Sequence, residues 1–351
     1  MKGTAILLSN GVYDTKSAKT SHGLIRGSER FEIKAVIDHV FHGNDAGELL
    51  DGIHRGIPMY PDVKSFLDDG GMVDYLVVGI APKGGRLPER MRPDVLLALG
   101  QGISLVSGLH QFLAEDSELM EVAKENLADI HDIRKPRAKK DLNFWKGDIF
   151  KVSCPKIVVM GTDCGLGKRT TAKFIVEALR NHKYTSEMIY TGQTGWMQGW
   201  RYGFILDSTV NDFVSGELEY MIVKCFEDEN PDMIVVEGQA ALRNISGPCG
   251  SEFLISGKMD GVVLQHAPGR KYYDGFDHLG VEIPPLKKDI DLIEAYDVPV
   301  LAITINTTKI TIEQAREYKK QYEEEFGIPV LLPVQDGVDE LIPHLEKMMK
   351  K

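Results

Sequence analysis

The sequence predicts an α/β protein built from two parallel-sheet domains, and three observations carry that prediction. Short apolar runs alternate with longer amphipathic ones along the chain, so βα units and parallel sheets are the economical assembly. At 351 residues the chain is too long for one ordinary core. In mid-chain the apolar run 157–160 feeds the glycine-rich turn Gly161-Thr162-Asp163-Cys164-Gly165-Leu166-Gly167, and Lys168-Arg169-Thr170-Thr171 opens a helix.

That last order of elements is a phosphate site. The strand delivers the chain, the glycines let backbone N–H groups turn inward, and the helix begins with its positive dipole end toward the same hollow. Lys168 adds a point charge. The usual phosphate loop has four residues between its first glycine and Gly-Lys, followed by Ser or Thr. Here there are five, and Arg169 stands where a hydroxyl normally binds Mg²⁺. Either Thr170 or Thr171 takes over that duty, or the loop holds a diphosphate that needs no metal, such as that of coenzyme A. Cys164 lies near a helix N-terminus, a place that generally favours a thiolate, and is a candidate nucleophile, but a small loop filler is the simpler reading because no paired base lies nearby in sequence.

Taken in order, residues 4–9 form a first strand, residues 15–26 a helix or ordered loop, and residues 33–37 a second strand ending at Asp38. This beginning has the look of a Rossmann-type half, although no G-x-G-x-x-G fingerprint supports a dinucleotide. Residues 74–82 are a third strand running into Lys83-Gly84-Gly85-Arg86, residues 88–99 a helix, and residues 103–107 a fourth strand closed by His110. Ligands of open parallel sheets bind beyond the carboxyl ends of strands. Asp38, the Lys83–Arg86 turn and His110 all fall at such ends, and a basic Gly-Gly turn suits a carboxylate. Residues 130–148 carry Arg134-Lys-Pro-Arg-Ala-Lys-Lys140 and read as the inter-domain connection, dividing a domain of residues 1–148 from one of 149–351.

In the second domain, residues 169–181 continue the loop helix and residues 188–191 form a short strand. The segment Thr191-Gly-Gln193-Thr-Gly-Trp196-Met-Gln-Gly-Trp200 reads as a lid or binding wall, with packing tryptophans as the alternative. Asp207 and its acidic neighbours are expected to cap the helix that runs through Cys225. Residues 233–236 form a buried strand whose end presents Glu237, where phosphate-loop proteins put an acid that binds or orients Mg²⁺. Residues 261–265 lead to His266 and Arg270, residues 298–305 lead to Asn306, and residues 328–334 are the last strand. Residues 290–296, 312–326 and 338–349 are helical.

Composition bounds the rest. Hydrophobic residues make up 43% and charged residues 26%, ordinary for a soluble globular chain. The net charge of −11 argues against nucleic-acid or anionic-membrane partners. No run approaches the ~18 apolar residues of a membrane span, and the N-terminal stretch reads as a strand, so a cytoplasmic protein is expected. Four scattered cysteines lack metal-ligand spacing.

The segments 19–26, 79–85, 107–110, 161–171, 191–195, 237–239 and 266–270 together resemble a family long catalogued as a domain of unknown function. That family joins an N-terminal Rossmann-like parallel-sheet domain to a P-loop NTPase-like doubly wound α/β domain, and some members are D-glutamate N-acetyltransferases using acetyl-CoA. The Gly-Thr-Asp loop and the Glu237-Gly238 pair are also similar to those of dethiobiotin synthetases. One departure is Ala240-Ala241, where the family pattern leads one to expect a glycine.

The resemblance implies acetyl transfer from acetyl-CoA to the amine of a small acidic amino acid, with residues 161–171 holding CoA or nucleotide phosphates. The site residues expected on chemical grounds are His110, His266 and Glu237 as catalytic groups, with Lys83, Gly84, Gly85, Arg86, Gln193 and Arg270 binding substrate. Two other classes stay open. An ATP-dependent ligase or kinase would use Thr170, Asp207 and Glu237 to manage Mg²⁺, with Asn306 reading the base. A non-catalytic nucleotide-binding regulator would bind without turnover. A homo-oligomer is left open.

Overall fold

The structure is a computed structural model that describes residues 1–350, and these form two compact units, residues 1–136 with 193–200 and residues 137–192 with 201–350. The first unit holds six parallel strands, β1 (Gly3–Leu8), β2 (Phe31–Ile37), β3 (Met59–Tyr60), β4 (Tyr75–Val78), β5 (Ser104–Ser107) and β6 (Ile130–Asp132), in the order β3-β2-β1-β4-β5-β6. Its helices in chain order are α1 (Lys19–Ile25), α2 (Ala46–Asp51), α3 (Val63–Asp68), α4 (Arg92–Gly100) and α5 (Ser117–Glu125). The order is that of a Rossmann sheet, and it reverses between β1 and β4. Residues 5–8 of β1 are wholly buried, as a central parallel strand covered on both faces requires.

The second unit holds β7 (Lys156–Gly161), β8 (Ser186–Tyr190), β9 (Tyr202–Gly203), β10 (Met233–Glu237), β11 (Gly261–His266), β12 (Val300–Ile305) and β13 (Val330–Leu331). All are parallel, in the order β13-β12-β11-β7-β10-β8-β9. The helices continue as α6 (Lys168–Asn181), α7 (Gln193–Gln198), α8 (Asn211–Glu229), α9 (Ser251–Leu254), α10 (Leu286–Glu294), α11 (Ile312–Phe326) and α12 (Ile342–Met349). Of these α7 belongs to the first unit. The α/β class and the pairing of a Rossmann-like with a P-loop domain are as the sequence predicts.

Local chemistry explains the element ends. Asp45 caps α2 by accepting from the Gly47 and Glu48 amides, and Asp116 caps α5. α11 starts with a capping box between Thr311 and Gln314 and stops at Gly327 in the left-handed conformation.

Several expectations need correction. The two-residue β3 goes unmarked in the sequence because so short a strand has no periodicity. The segment 130–148 is not a free connection: it opens with β6, and Arg134 is buried with its Nε donating to Gly108 O at 2.7 Å. In the second unit two buried acids of α8 hold the rest of that segment. Glu217 accepts from Asn143 N at 2.6 Å and pairs with Arg137, and Glu219 accepts from Lys146 N at 2.6 Å and Ile149 N at 3.1 Å. No acid caps α8, whose N-cap position is Val210. The last strand is only two residues long.

Candidate functional site

In the first unit the expected residues gather at strand ends, but much of their chemistry is satisfied internally. Asp38 is fully buried, and its carboxylate accepts four backbone N–H groups, from Gly11, Tyr13, Val40 and Phe41, at 2.7–3.3 Å. That corrects the view of Asp38 as a crevice group. Beyond β1 and β4, where the sheet order reverses, Ser21 of α1 fills the space. Its N–H and Oγ both bond Gly79 O, at 2.9 and 3.1 Å, and Oγ also meets Ser9 Oγ at 2.8 Å. Lys83, Gly84 and Arg86 are exposed, Gly85 is buried, and the exposed His110 is tied back by its N–H to Gly85 O at 2.9 Å. Gln193 is buried at the start of α7, with its side chain against Gly108. The segment read as a lid is therefore a helix with buried Gln193, Thr194, Gly195, Met197 and Gln198, and Trp196 stacks under the Arg30 guanidinium at 3.9 Å.

In the second unit the glycine-rich turn is built as a phosphate loop. Gly165 and Gly167 have φ +63° and +96°, the left-handed values that glycine adopts without strain. The loop ends at Gly167, which caps α6 without a side-chain bond, so the first-turn amides of α6 have no partner within the helix. Lys168 is 7% exposed, and its ammonium is held between two carbonyls, Asp163 O at 2.8 Å and Ala240 O at 2.7 Å. Burial lowers the Lys168 pKa to about 8. Ala240 has φ +25°, a conformation an L residue adopts only under strain. The departure from glycine noted in the sequence thus falls on a strained carbonyl that holds the loop lysine.

Asp163 is the hub of the loop. Its Oδ1 accepts from Cys164 N at 2.7 Å and Asn244 Nδ2 at 3.1 Å, and its Oδ2 accepts from Arg270 Nη1 and Asp274 N, both at 2.8 Å. Arg270 Nη1 also bonds Cys164 O at 2.6 Å. Asn306 Nδ2 donates to Leu166 O at 2.8 Å, so its amide pins the loop. Thr162 Oγ1 meets His266 Nδ1 at 2.9 Å, and Thr171 Oγ1 donates to Gln265 Oε1 at 2.6 Å. Gly161 is packed against Lys168, where a Cβ would lie 3.3 Å from Nζ.

Glu237 is 5% exposed at the end of β10, which pairs directly with β7. Burial raises its pKa, opposed first by the Arg169 charge, then by the Thr191 amide and Lys168. The positive charge of Arg169, in the first turn of α6, thus acts on the Glu237 carboxylate. Thr170 is half-buried beside it in sequence, and Asp207 is exposed. Among the described residues no group of three or more His, Cys, Asp or Glu side chains is arranged to hold a metal ion.

His266 is 7% exposed, and burial together with the Arg270 charge lowers its pKa to about 4, leaving a neutral imidazole at pH 7. The structure therefore brings together the phosphate loop, Glu237, His266, Arg270 and Asn306, and separately, within the first unit, the Lys83–Arg86 turn, His110 and Gln193. Sequence reading misses Asn244, Gln265 and Asp274. Only Gln265 left a signal, as the one amide in an otherwise apolar strand.

Comparison with known proteins fits this architecture. Residues 143–342 match the family described as "Domain of unknown function (DUF1611_C) P-loop domain", and residues 40–136 match the companion "Rossmann-like domain". A DUF1611 family protein from Anabaena variabilis, known as a crystal structure, is 30% identical with a TM-score of 0.88, covering 100% of both chains. A D-glutamate N-acetyltransferase from a Pseudoalteromonas species is 29% identical over 276 residues, 77% of this chain and 80% of that one. One from Tritonibacter scottomollicae is 30% identical over 275 residues, with the same shares. These relatives support N-acetyl transfer as the class of activity. No helix among the described residues is long and apolar enough to cross a membrane. The chain belongs to the DUF1611 family, with its Rossmann-like and P-loop domains both present.

Proposed function

We propose that this protein transfers the acetyl group of acetyl-CoA to the amine of a small acidic amino acid of the D-glutamate kind, and that its phosphate loop holds the CoA diphosphate without a divalent cation. The observation that carries this reading is Arg169, next to Lys168 in the first turn of α6, whose charge acts on buried Glu237 and supplies fixed positive charge where nucleotide-hydrolysing loops recruit Mg²⁺. A diphosphate that is bound but not cleaved needs charge and N–H donors, and Lys168, Arg169 and the first-turn amides of α6 offer both.

In the reaction, the acceptor ammonium gives up one proton and its nitrogen attacks the thioester carbonyl. A C–N bond forms, the C–S bond breaks, and the sulfur leaves as a thiolate that takes the second nitrogen proton, so one proton is released overall. A backbone N–H steadies the transient oxyanion. The relatives named D-glutamate N-acetyltransferases support the acceptor class. The test is mass spectrometry of purified protein with acetyl-CoA and D-glutamate: the expected product is N-acetylglutamate with stoichiometric free CoA. Absence of product across acidic amino acids of both hands refutes the reading.

One observation favours a second reading, an ATP·Mg-dependent ligase or kinase: Glu237 stands at the strand end next to the loop strand, as a metal-orienting acid would. If Arg169 is what excludes the metal, Arg169→Thr gains Mg-dependent ATP binding.

A further inference from the structure

The second unit contains a groove of about 300 Å³ whose lining includes His266, Arg270, Tyr322 and Glu325 together with the apolar Pro284 and Phe326. Two side chains in it are more than nine-tenths buried, and each ends in a polar atom with no hydrogen-bond partner among the described residues. Tyr322 is 8% exposed, and its hydroxyl has no hydrogen-bond partner among the described residues. His266 uses only Nδ1, toward Thr162, which leaves Nε2 without a partner. The two rings meet edge to face at 6.0 Å. Neither atom is sealed in the packed interior, so both open onto the groove, where a ligand would meet one hydrogen-bonding group on each ring.

The charges around these two atoms narrow the chemistry of a ligand that would fit. Arg270 is anchored through Nη1 alone, so Nε and Nη2 keep donors for a carboxylate. At the rim, Lys271 pairs with Glu282 at 3.0 Å and Lys287 with Asp291 at 2.6 Å, and these pairs neutralise themselves. Glu325 forms no ion pair among the described residues and stands near both Tyr322 and Lys287. The unused edge of a guanidinium already paired with Asp163, the Glu325 carboxylate, a neutral imidazole and a phenol match a molecule that carries both an ammonium and a carboxylate.

We propose that this groove is the acceptor subsite, taking a small amino dicarboxylate with its amine toward His266 Nε2, Tyr322 Oη and Glu325 and a carboxylate on Arg270. The site's identity as an acceptor site rests on the acetyl-transfer reading above. With the Nδ1 proton donated to Thr162 Oγ1, Nε2 is an acceptor for the ammonium. Because Thr162 is the second residue of the phosphate loop, one side-chain pair then joins the amine to the loop that holds the donor. A weakly basic imidazole does not store the proton; it orients the nitrogen that loses it.

The test uses the full chain and its Tyr322→Phe and Glu325→Gln variants, with glutamate of either hand titrated by calorimetry and acetyl transfer followed in parallel. Both changes keep volume and are checked for wild-type melting. The expected result is a glutamate Kd and KM raised about tenfold or more, as loss of a bond to a charged group predicts, with the KM for acetyl-CoA unchanged. Folded variants with unchanged Kd and KM overturn the groove and leave the reaction standing. Wild-type glutamate binding that weakens in the variants without any turnover keeps the groove as an amino-acid site and refutes the reaction. No glutamate binding and no turnover refutes both.

Discussion

Asp163 and Arg270 form a buried ion pair, Nη1 to Oδ2 at 2.8 Å, that fastens the segment after β11 to the phosphate loop. Asp163 is wholly buried and Arg270 is 12% exposed at its side chain, and each carries further bonds to backbone atoms. Removing one partner strands a charge in the interior, which typically costs about 3–5 kcal/mol. Arg270→Met and Asp163→Asn are therefore both expected to lower stability in urea unfolding, the first by removing the counter-charge and the second by setting an amide N–H₂ among the donors that the carboxylate accepts from. The double variant is expected to fall well short of the sum of the two.

On the proposed binding of the CoA diphosphate, Lys168 sets a pH limit. Its pKa, lowered to about 8 by burial, means that free protein loses the ammonium as pH rises beyond that value. An incoming diphosphate needs the charged form, so affinity for CoA is expected to be flat below pH 8 and to fall about tenfold per unit above it, which titrations from pH 6.5 to 9.5 will read. A flat profile to pH 9.5 would show that the lysine does not meet the anion.

His266 contributes to stability in the opposite range. Its folded pKa of about 4 lies below the ordinary 6.5, so the unfolded chain takes up the proton first as pH falls. Stability from this residue is full above pH 6.5 and declines between 6.5 and 4, by on the order of 3 kcal/mol in all. In denaturant unfolding across that window, His266→Gln is expected to flatten the decline.

Asp289 of α10 is 4% exposed, and its Oδ2 has no partner. Burial lifts its pKa to about 6. A raised acid favours folding below the unfolded value near 3.8 and loses that advantage as pH climbs through 6, so the charged carboxylate is a liability at neutral pH. Asp289→Asn is expected to stabilise the protein by on the order of 2 kcal/mol at pH 7.5 and by little at pH 3.5, measured by thermal and urea unfolding.

Much of this was legible in the chain. The buried strands β1, β7, β10 and β11 announce themselves as apolar runs, and the loop from Gly161 to Lys168 is visible because a phosphate cradle needs those glycines in that order. What could not be read depends on contacts distant in sequence. Asp38 looks like a crevice acid until its four backbone donors are seen, and Arg270 looks like a free cation until Asp163, 107 residues earlier, is found against it. The 193–198 helix lacks the length or periodicity to declare itself, and β3 is too short to carry a pattern.

The central claim is that Lys168 and Arg169 hold a diphosphate without a metal. Its most direct test is calorimetric titration of acetyl-CoA into wild-type protein and Lys168→Ala, each in excess EDTA and again in Mg²⁺. The account predicts equal wild-type affinity in the two buffers and a loss of at least tenfold in the variant. Acetyl-CoA binding that requires Mg²⁺, or that survives intact in Lys168→Ala, would contradict it.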